Sequence, residues 1–481
     1  MKPIHFGTDG WRGVIADDFT FERVAAVSAA VGDFLRDEGT ADRGVAIGYD
    51  NRFASGDFAA LAATMLTRRG IRVHLSPTSV PTPLVSYLIK HGTLGGGVMI
   101  TASHNPAKYN GVKFKPWFAG SASPEATKAI EAISNQLLQT LDITAVRAQG
   151  PDPTLLTQDD FLTPYLQHVL GFVNIEVIRN AKCKLLIDPL FGSSIGVLDR
   201  ALRDAGCQVE MIHAEYNPSF SGLHPEPIPE NLRALSATVA TMTVDGAIAS
   251  DGDGDRISAM TEDGVYISPH HVFSLLLMHL VEDLGQRGGV VKTVSTSTMI
   301  NQLVDRYGLP LYETPIGFKH ICQLMREQDI LIGGEESGGI GVRGHIPERD
   351  ATLAALLLVE MMAMRGTTLG GLLAQLRERV GDHAYDRIDV LLTQPVTGTQ
   401  YTALRDALPA TIVGEAVREI STRDGIKMLL ADGSWLLLRA SGTEPVLRIY
   451  AESDTMDKVQ AFLAAGRALI GTVGIQLATN A

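Results

Sequence analysis

The chain has 481 residues, 45% hydrophobic and 20% charged, a composition that suits a folded globular protein and, at this length, three or four domains rather than one core. A formal net charge of -13 argues against a broad nucleic-acid-binding surface, while a locally basic cleft for an anionic substrate stays compatible with it. The three cysteines, Cys183, Cys207 and Cys322, lack C-x-x-C spacing, which argues against zinc and disulfide patterns and fits buried thiols in a reducing cytosol.

The opening segment carries no apolar signal stretch. The most apolar long runs, residues 272–281 and 351–364, are too short to span a bilayer, and Glu360 interrupts the second. A cytoplasmic protein with neither a membrane nor a nucleic-acid partner is expected.

Val24, Val27, Val31, Phe34 and Leu35 share one helical face, which Gly39 terminates. A β-branched run at 45–49 reads as a buried strand, followed by a helix at 56–69, a strand at 73–75, a helix at 83–90 and a strand at 97–101. This β-α-β-α-β order favours a parallel sheet. The same order returns at 184–249 and again at 290–333, as a repeat of architecture rather than of sequence. A run with two prolines, 149–153, separates the first two units, and the second joint is expected just after Arg256. Beyond Arg379 the pattern changes. Strands at 427–430 and 435–439 flank Asp432-Gly433, a hairpin signal, with a strand at 446–452 beside them and a closing helix at 456–470. The expected fold is α/β: three consecutive α/β domains with mixed or parallel sheets, residues 1–150, 151–256 and 257–379, then a C-terminal α+β domain, 380–481.

The last strand of each α/β unit runs into a polar turn: Thr101-Ala102-Ser103-His104-Asn105-Pro106, Asp251-Gly252-Asp253-Gly254-Asp255-Arg256 and Gly334-Glu335-Glu336-Ser337-Gly338-Gly339. Ligands of open α/β sheets bind outside the carboxyl ends of strands, so these loops are expected to face one central cleft.

Asp251, Asp253 and Asp255, spaced by glycines, repel one another unless a cation joins them, and hard oxygen ligands point to Mg²⁺ or Ca²⁺ rather than zinc. An EF-hand reading would place Glu262 at the bidentate position. However, Arg256 stands where that loop requires glycine, and a strand pattern precedes it, so Mg²⁺ is preferred. Ser103 taken alone reads as a turn residue rather than a nucleophile, since Ser, Asn and Pro form turns and no G-x-S-x-G elbow surrounds it. Its weight comes from its partners. A serine phosphate beside a divalent cation would have part of its charge offset, and Lys113 could donate or accept a proton. Arg439-Ala440-Ser441-Gly442-Thr443-Glu444-Pro445, with Arg448 beyond, combines guanidinium, hydroxyl and backbone donors that suit a phosphate clasp and equally a hairpin corner with surface arginines.

Taken together and in this order, from Phe6-Gly7-Thr8-Asp9-Gly10-Trp11-Arg12-Gly13 to Arg448, these motifs resemble the α-D-phosphohexomutase family (phosphoglucomutase, phosphomannomutase and relatives). The resemblance implies four domains around a deep cleft. It implies a phosphoserine at Ser103, Mg²⁺ on Asp251, Asp253 and Asp255 completed by the serine phosphate, and Lys113 as general acid or base. It sets Arg12 and His104 beside the phosphoryl group and Arg256 after the metal loop. Glu335 and Ser337 would grip sugar hydroxyls, with Lys319 in the loop beside the sugar and Lys292 nearby. Arg439, Ser441, Gly442, Thr443 and Arg448 would clasp the non-reacting phosphate. One departure stands out: many relatives carry histidine where this chain has Gly339, so any acid/base role of that histidine does not carry over. The Glu335-Glu336-Ser337 wording is closer to glucose-using members.

The implied reaction interconverts hexose 1-phosphate and hexose 6-phosphate, with glucose foremost and mannose as a further substrate, through a hexose 1,6-bisphosphate that also serves as activator. Alternatives are a phosphoglucosamine mutase, a metal-dependent sugar phosphatase and a non-enzymatic sugar-phosphate-binding protein. The partner is a small-molecule sugar phosphate, and the assembly a monomer or homodimer.

Overall fold

A computed structural model describes residues 2–7, 9–441 and 445–478. Strand β1 (Trp11–Val14) opens the first sheet, which also holds β2 (Val45–Tyr49), β3 (Val73–Leu75), β4 (Gly96–Ile100), β5 (Tyr109–Pro116) and β6 (Leu156–Gln158). The second comprises β7 (Lys184–Asp188), β8 (Gln208–Met211), β9 (Gly246–Ser250), β10 (Ile257–Met260) and β11 (Tyr266–Ile267). The third comprises β12 (Gly289–Thr293), β13 (Leu311–Thr314), β14 (Ile330–Gly334) and β15 (Ile340–Val342). The fourth holds β16 (Ala384–Leu391), β17 (Thr411–Ile412), β18 (Glu415–Ser421), β19 (Ile426–Leu430), β20 (Trp435–Ala440) and β21 (Val446–Ser453).

The first three sheets share one strand order: 5-4-2-3, 10-9-7-8 and 15-14-12-13. In each, three strands run parallel and a fourth returns antiparallel beside the third. The alternating pattern predicted the parallel part. It did not reveal the returning strands, because β5, β10 and β15 are almost wholly buried and so lack the apolar/polar alternation that marks a half-exposed strand. Each chemical loop is therefore the turn of a hairpin. The sheets also extend past residues 150 and 256, since β6 adds to the edge of the first and β10 and β11 fold back onto the second.

Sheets one to three share a continuous apolar core. At its centre lies the helix Ala351–Arg365, whose residues from Ala351 to Met362 are all buried. Among the described residues no single helix is long and apolar enough to cross a membrane. Glu360 is buried in this helix, where it accepts hydrogen bonds from the Asn174 N–H and His279 Nε2 at 2.6 and 2.9 Å. The carboxylate of Asp350 caps the helix by accepting from the Thr352 and Leu353 N–H groups.

The fourth sheet has its own core, formed by one sheet face against the helix Met456–Thr472. Its other face meets the third domain through a small cluster of Val294, Trp435, Leu437 and Tyr450. Burial of such side chains is worth roughly 1.5–3 kcal/mol each, so this joint is weaker than the shared core and is where motion is cheapest. Polar contacts reinforce it. Lys427 Nζ donates to the Val294 carbonyl at 2.6 Å. Glu452 Oε1 accepts from the Thr298 N–H at 2.9 Å, from the Thr298 hydroxyl, and from His383 Nδ1 at 3.2 Å, so a carboxylate of one domain caps the helix Met299–Tyr307 of another. Glu452→Gln removes the charge but keeps the shape. It should lower stability by about 1–3 kcal/mol, measured by thermal or denaturant unfolding.

Candidate active site

The loop after β4 is held from behind by Arg52. This fully buried guanidinium donates to four backbone carbonyls: Ser103 and Asn105 at 2.6 Å, Pro106 at 2.9 Å and Tyr109 at 3.0 Å. Its Nε pairs with Asp50, which also accepts from the Thr101 hydroxyl. So braced, Ser103 keeps a φ of +53°, a conformation that costs a non-glycine residue energy and that a rigid frame must hold.

Ser103 Oγ then points at the aspartate loop and donates to Asp251 Oδ2 at 3.0 Å. The approach depends on Gly252, where a Cβ would stand 2.5 Å from the Ser103 carbonyl oxygen. The N-terminus of the helix Thr82–His91 braces the other side: the Thr82 N–H donates to the Asp253 carbonyl and its hydroxyl to Asp253 Oδ2.

Asp251, Asp253 and Asp255 are wholly buried, and one oxygen from each lies within 4.8 Å of the others. Burial, reinforced by Asp253 and Asp255, pushes the Asp251 carboxyl well above the usual range. Burial also opposes ionisation of Asp253, but Lys113 outweighs it and holds that carboxyl below its ordinary value. Asp253 Oδ1 and Asp255 Oδ1 are buried, yet accept no hydrogen bond from the described residues. Buried hard-oxygen acceptors left without donors are what a divalent cation satisfies, so the residues fit a metal site.

Lys113, on β5, is buried with its Nζ at 2.8 Å from Asp253, 3.1 Å from Asp255 and 3.1 Å from Asp9. Burial alone would lower its pKa, but the three carboxylates more than offset this and hold it as an ammonium. His104 Nδ1 lies 3.4 Å from Ser103 Oγ. Burial, then Arg256 and Arg12, hold its pKa well below 6.5, so the ring is neutral at neutral pH. Arg12 donates to Asn105 Oδ1, and Arg256 pairs with Glu226 at 3.0 Å while its Nε stays 3.9 Å from Asp251.

The third loop joins directly. Arg256 bridges Gly339, and the Ile257 N–H donates to the Gly338 carbonyl. Glu335 Oε1 accepts from the Gly317 N–H at 3.1 Å, and burial pushes its carboxyl up to about 7. Ser337 is half-buried in the same turn, and Lys319 is half-buried in the first turn of the helix Phe318–Glu327. Lys292 does not join this cluster. Its buried Nζ donates to the Thr296 and Ser297 carbonyls at 3.1 and 3.2 Å and lies 3.7 Å from Glu313, at the joint with the fourth domain. Burial, with Lys427 adding to it, pulls its pKa to about 7.

On the fourth sheet Arg439 and Arg448 are cross-strand partners and so share a face. Arg439 Nε donates to Asp424 Oδ1 at 3.0 Å, and Arg448 Nε to Asp389 Oδ2 at 3.4 Å. Arg387 lies on that face two positions before Asp389 and pairs with it at 3.1 Å. The Ser441 N–H donates to the Val446 carbonyl. Gly442 and Thr443 of the expected clasp, and Thr8 of the opening motif, lie outside the described residues.

Arg349 was not singled out by the sequence reading. One of its terminal nitrogens lies 2.8 Å from both Asp9 and Asp255, another is 3.8 Å from Glu335, and its Nε reaches Glu348. It also accounts for the departure at Gly339: a Cβ there would stand 2.2 Å from Arg349 Cδ and 2.8 Å from its Cγ. The small residue is what lets this arginine thread to the aspartates. Asp9, Arg52 and Glu226 were missed too. The available signals were Asp9 inside the opening motif, Arg52 at the carboxyl end of β2 and Arg349 immediately before the helix cap Asp350.

Sequence models of the phosphoglucomutase/phosphomannomutase family match the chain in order. Alpha/beta/alpha domain I covers residues 3–140, domain II 163–264, domain III 268–380 and the C-terminal domain 392–468. The chain belongs to this family. It is 29% identical over 469 residues to the phosphoglucomutase/phosphomannomutase of Thermococcus kodakarensis, covering 97% of this chain and 98% of that one. It is 30% identical over 461 residues to the phosphoglucosamine mutase of Thermobifida fusca, covering 95% of each. A crystal structure of a Thermus thermophilus protein, provisionally named a phosphomannomutase, superposes with a TM-score of 0.84 at 34% identity, over 98% of this chain and 99% of that one. This phosphohexomutase-family chain is thus an isomerase of the phosphotransferase type. The family is metal-dependent, and the buried aspartate triad is where a metal fits. Gly339→Ala should displace Arg349 from Asp9 and Asp255 and cut kcat/KM by about 10- to 100-fold, with the circular dichroism spectrum unchanged. Steady-state kinetics on a hexose phosphate checks this.

Proposed function

We propose that the chain interconverts hexose 1-phosphate and hexose 6-phosphate, with glucose phosphates as preferred substrates and mannose phosphates as further ones. The reaction passes through a phosphoserine at Ser103 and a bound hexose 1,6-bisphosphate, which also primes the serine. The observation that carries this reading is the 3.0 Å contact of Ser103 Oγ with Asp251, inside a buried triad of carboxylates. A nucleophile aimed at a cation cradle suits a serine whose charge on phosphorylation, about -1.5 to -2, must be offset.

In the first half-reaction the free hydroxyl oxygen of the sugar monophosphate attacks phosphorus. The bond from phosphorus to Ser103 Oγ breaks, the hydroxyl proton leaves, and the serine oxygen gains a proton. The bisphosphate then turns over, and its other phosphate returns to Ser103 by the reverse steps. A Mg²⁺ held by Asp251, Asp253 and Asp255 and completed by a phosphoserine oxygen would withdraw charge and make phosphorus a better electrophile. Lys113 is the acid/base residue of this scheme. Its ammonium form supports the donor half, proton delivery to the serine oxygen, whereas acting as base requires it to give up a proton that three carboxylates stabilise. Neutral His104 and cationic Arg12 flank the phosphoryl position. Glu335 and Ser337 orient sugar hydroxyls, assisted by Lys319. Arg439, Ser441 and Arg448, with Gly442 and Thr443, hold the distal phosphate.

Relatives named for glucose, mannose and glucosamine phosphates stand at nearly equal identity, so the lean to glucose rests on the Glu335-Glu336-Ser337 wording. The three cysteines are free and buried, which supports a reducing, cytoplasmic setting. Ser103→Ala should abolish both interconversion and labelling by glucose 1,6-bisphosphate with the melting temperature unchanged; near-normal turnover would remove the nucleophile, and phosphate release by the native chain would mark a phosphatase. Side-by-side rates on glucose, mannose and glucosamine phosphates decide the sugar. Chelation should silence the chain and Mg²⁺ restore it better than Ca²⁺, whereas the reverse order would favour the calcium-loop reading.

A further inference from the structure

The hairpin joining β18 and β19 turns at Asp424-Gly425, with Gly425 at a φ of +98°. Its turn does more than connect two strands. Asp424 Oδ1 accepts from Arg439 Nε at 3.0 Å, and Asp424 Oδ2 accepts from the Ile316 N–H at 2.8 Å. One carboxylate thus holds a guanidinium of the phosphate face and a backbone amide of the third domain. The neighbouring Arg423 donates to the Glu313 carbonyl, so two successive residues of this hairpin reach across the joint.

Ile316 is followed by Gly317, whose N–H is held by Glu335. Consecutive amides of one short loop are therefore pinned from opposite sides, one by the domain with the arginines, the other by the residue beside the aspartate cluster. Glu335 in turn faces Arg349 at 3.8 Å, and Arg349 contacts Asp255 at 2.8 Å. Hydrogen-bonded and ion-paired groups run without a break from Arg439 to the metal triad.

We propose that Asp424 is a positioning residue that ties the distal-phosphate clasp to the loop beside the sugar, so that phosphate binding on the fourth domain and sugar orientation by Glu335 occur together. This rests on the proposed phosphohexomutase reaction. The bond at Nε fixes the plane of the Arg439 guanidinium, which is what directed recognition of a phosphate requires. The second oxygen makes that plane depend on where the 314–319 loop stands. An asparagine cannot serve both partners, since its amide nitrogen accepts no hydrogen bond.

Two measurements on the full chain test this. In Asp424→Asn and Asp424→Ala, amide exchange of the unliganded protein should lose protection at residues 314–319 while residues 96–106 stay as protected as in the native chain. Kinetically, Asp424→Asn should raise KM for glucose 1-phosphate at least about 5-fold with the melting temperature held, and combining it with Arg439→Lys should be non-additive. Unchanged protection at 314–319, or strict additivity with Arg439→Lys, overturns the link. A native chain that turns over no hexose phosphate would sink the catalytic reading instead, and the exchange result alone would then decide for or against Asp424 as the tie.

Discussion

Three aspartates buried within 4.8 Å of one another are the constraint around which this molecule is arranged. Like charges in a low-dielectric setting do not stay ionised together unless cations answer them. The chain answers with Lys113 from the first domain and Arg349 from the third, and Asp9 is held between those two cations. Groups from three domains therefore meet at one point, and the serine loop is brought to the same point by Asp251. The shared apolar core supplies the rigidity that this convergence requires, while the electrostatics decide where the domains must touch.

The same topology, used three times, explains how the point is reached. Each α/β sheet delivers its third strand into a tight turn and brings the chain back antiparallel, so the turn projects from the carboxyl end of the sheet. Ser103, the aspartates and Glu335 occupy equivalent turns in successive sheets. Glycine at 252 and 339 permits approaches that a Cβ would block, one by the Ser103 carbonyl and the other by the Arg349 side chain. The fourth domain stands apart in core and in chemistry. It is attached through a small apolar cluster and a few charged groups, and a more weakly held domain suits the proposed clasp, which would have to accept either end of a turning sugar bisphosphate.

Much of this was legible in the residue order. The strand and helix periods marked the three α/β units and the closing α+β domain, and Asp-Gly-Asp-Gly-Asp pointed to a cation site because three carboxylates so close repel one another unless cations answer them. Gly339 read as the loss of a function; in the structure it is the space taken by Arg349. Lys292 read as lying near the sugar, and its Nζ donates to the carbonyls of Thr296 and Ser297.

The sequence by itself determined the parallel strands and the helices between them, the family and the chemical types gathered in each loop, because these depend on periodicity and on short motifs whose residues are neighbours in the chain. Only the tertiary structure decided which charges face one another. Asp9, Arg52, Arg349 and Asp424 act through partners up to 340 positions away in the chain, and each looks like any other charged residue until folding removes water and leaves a particular counter-charge as its neighbour.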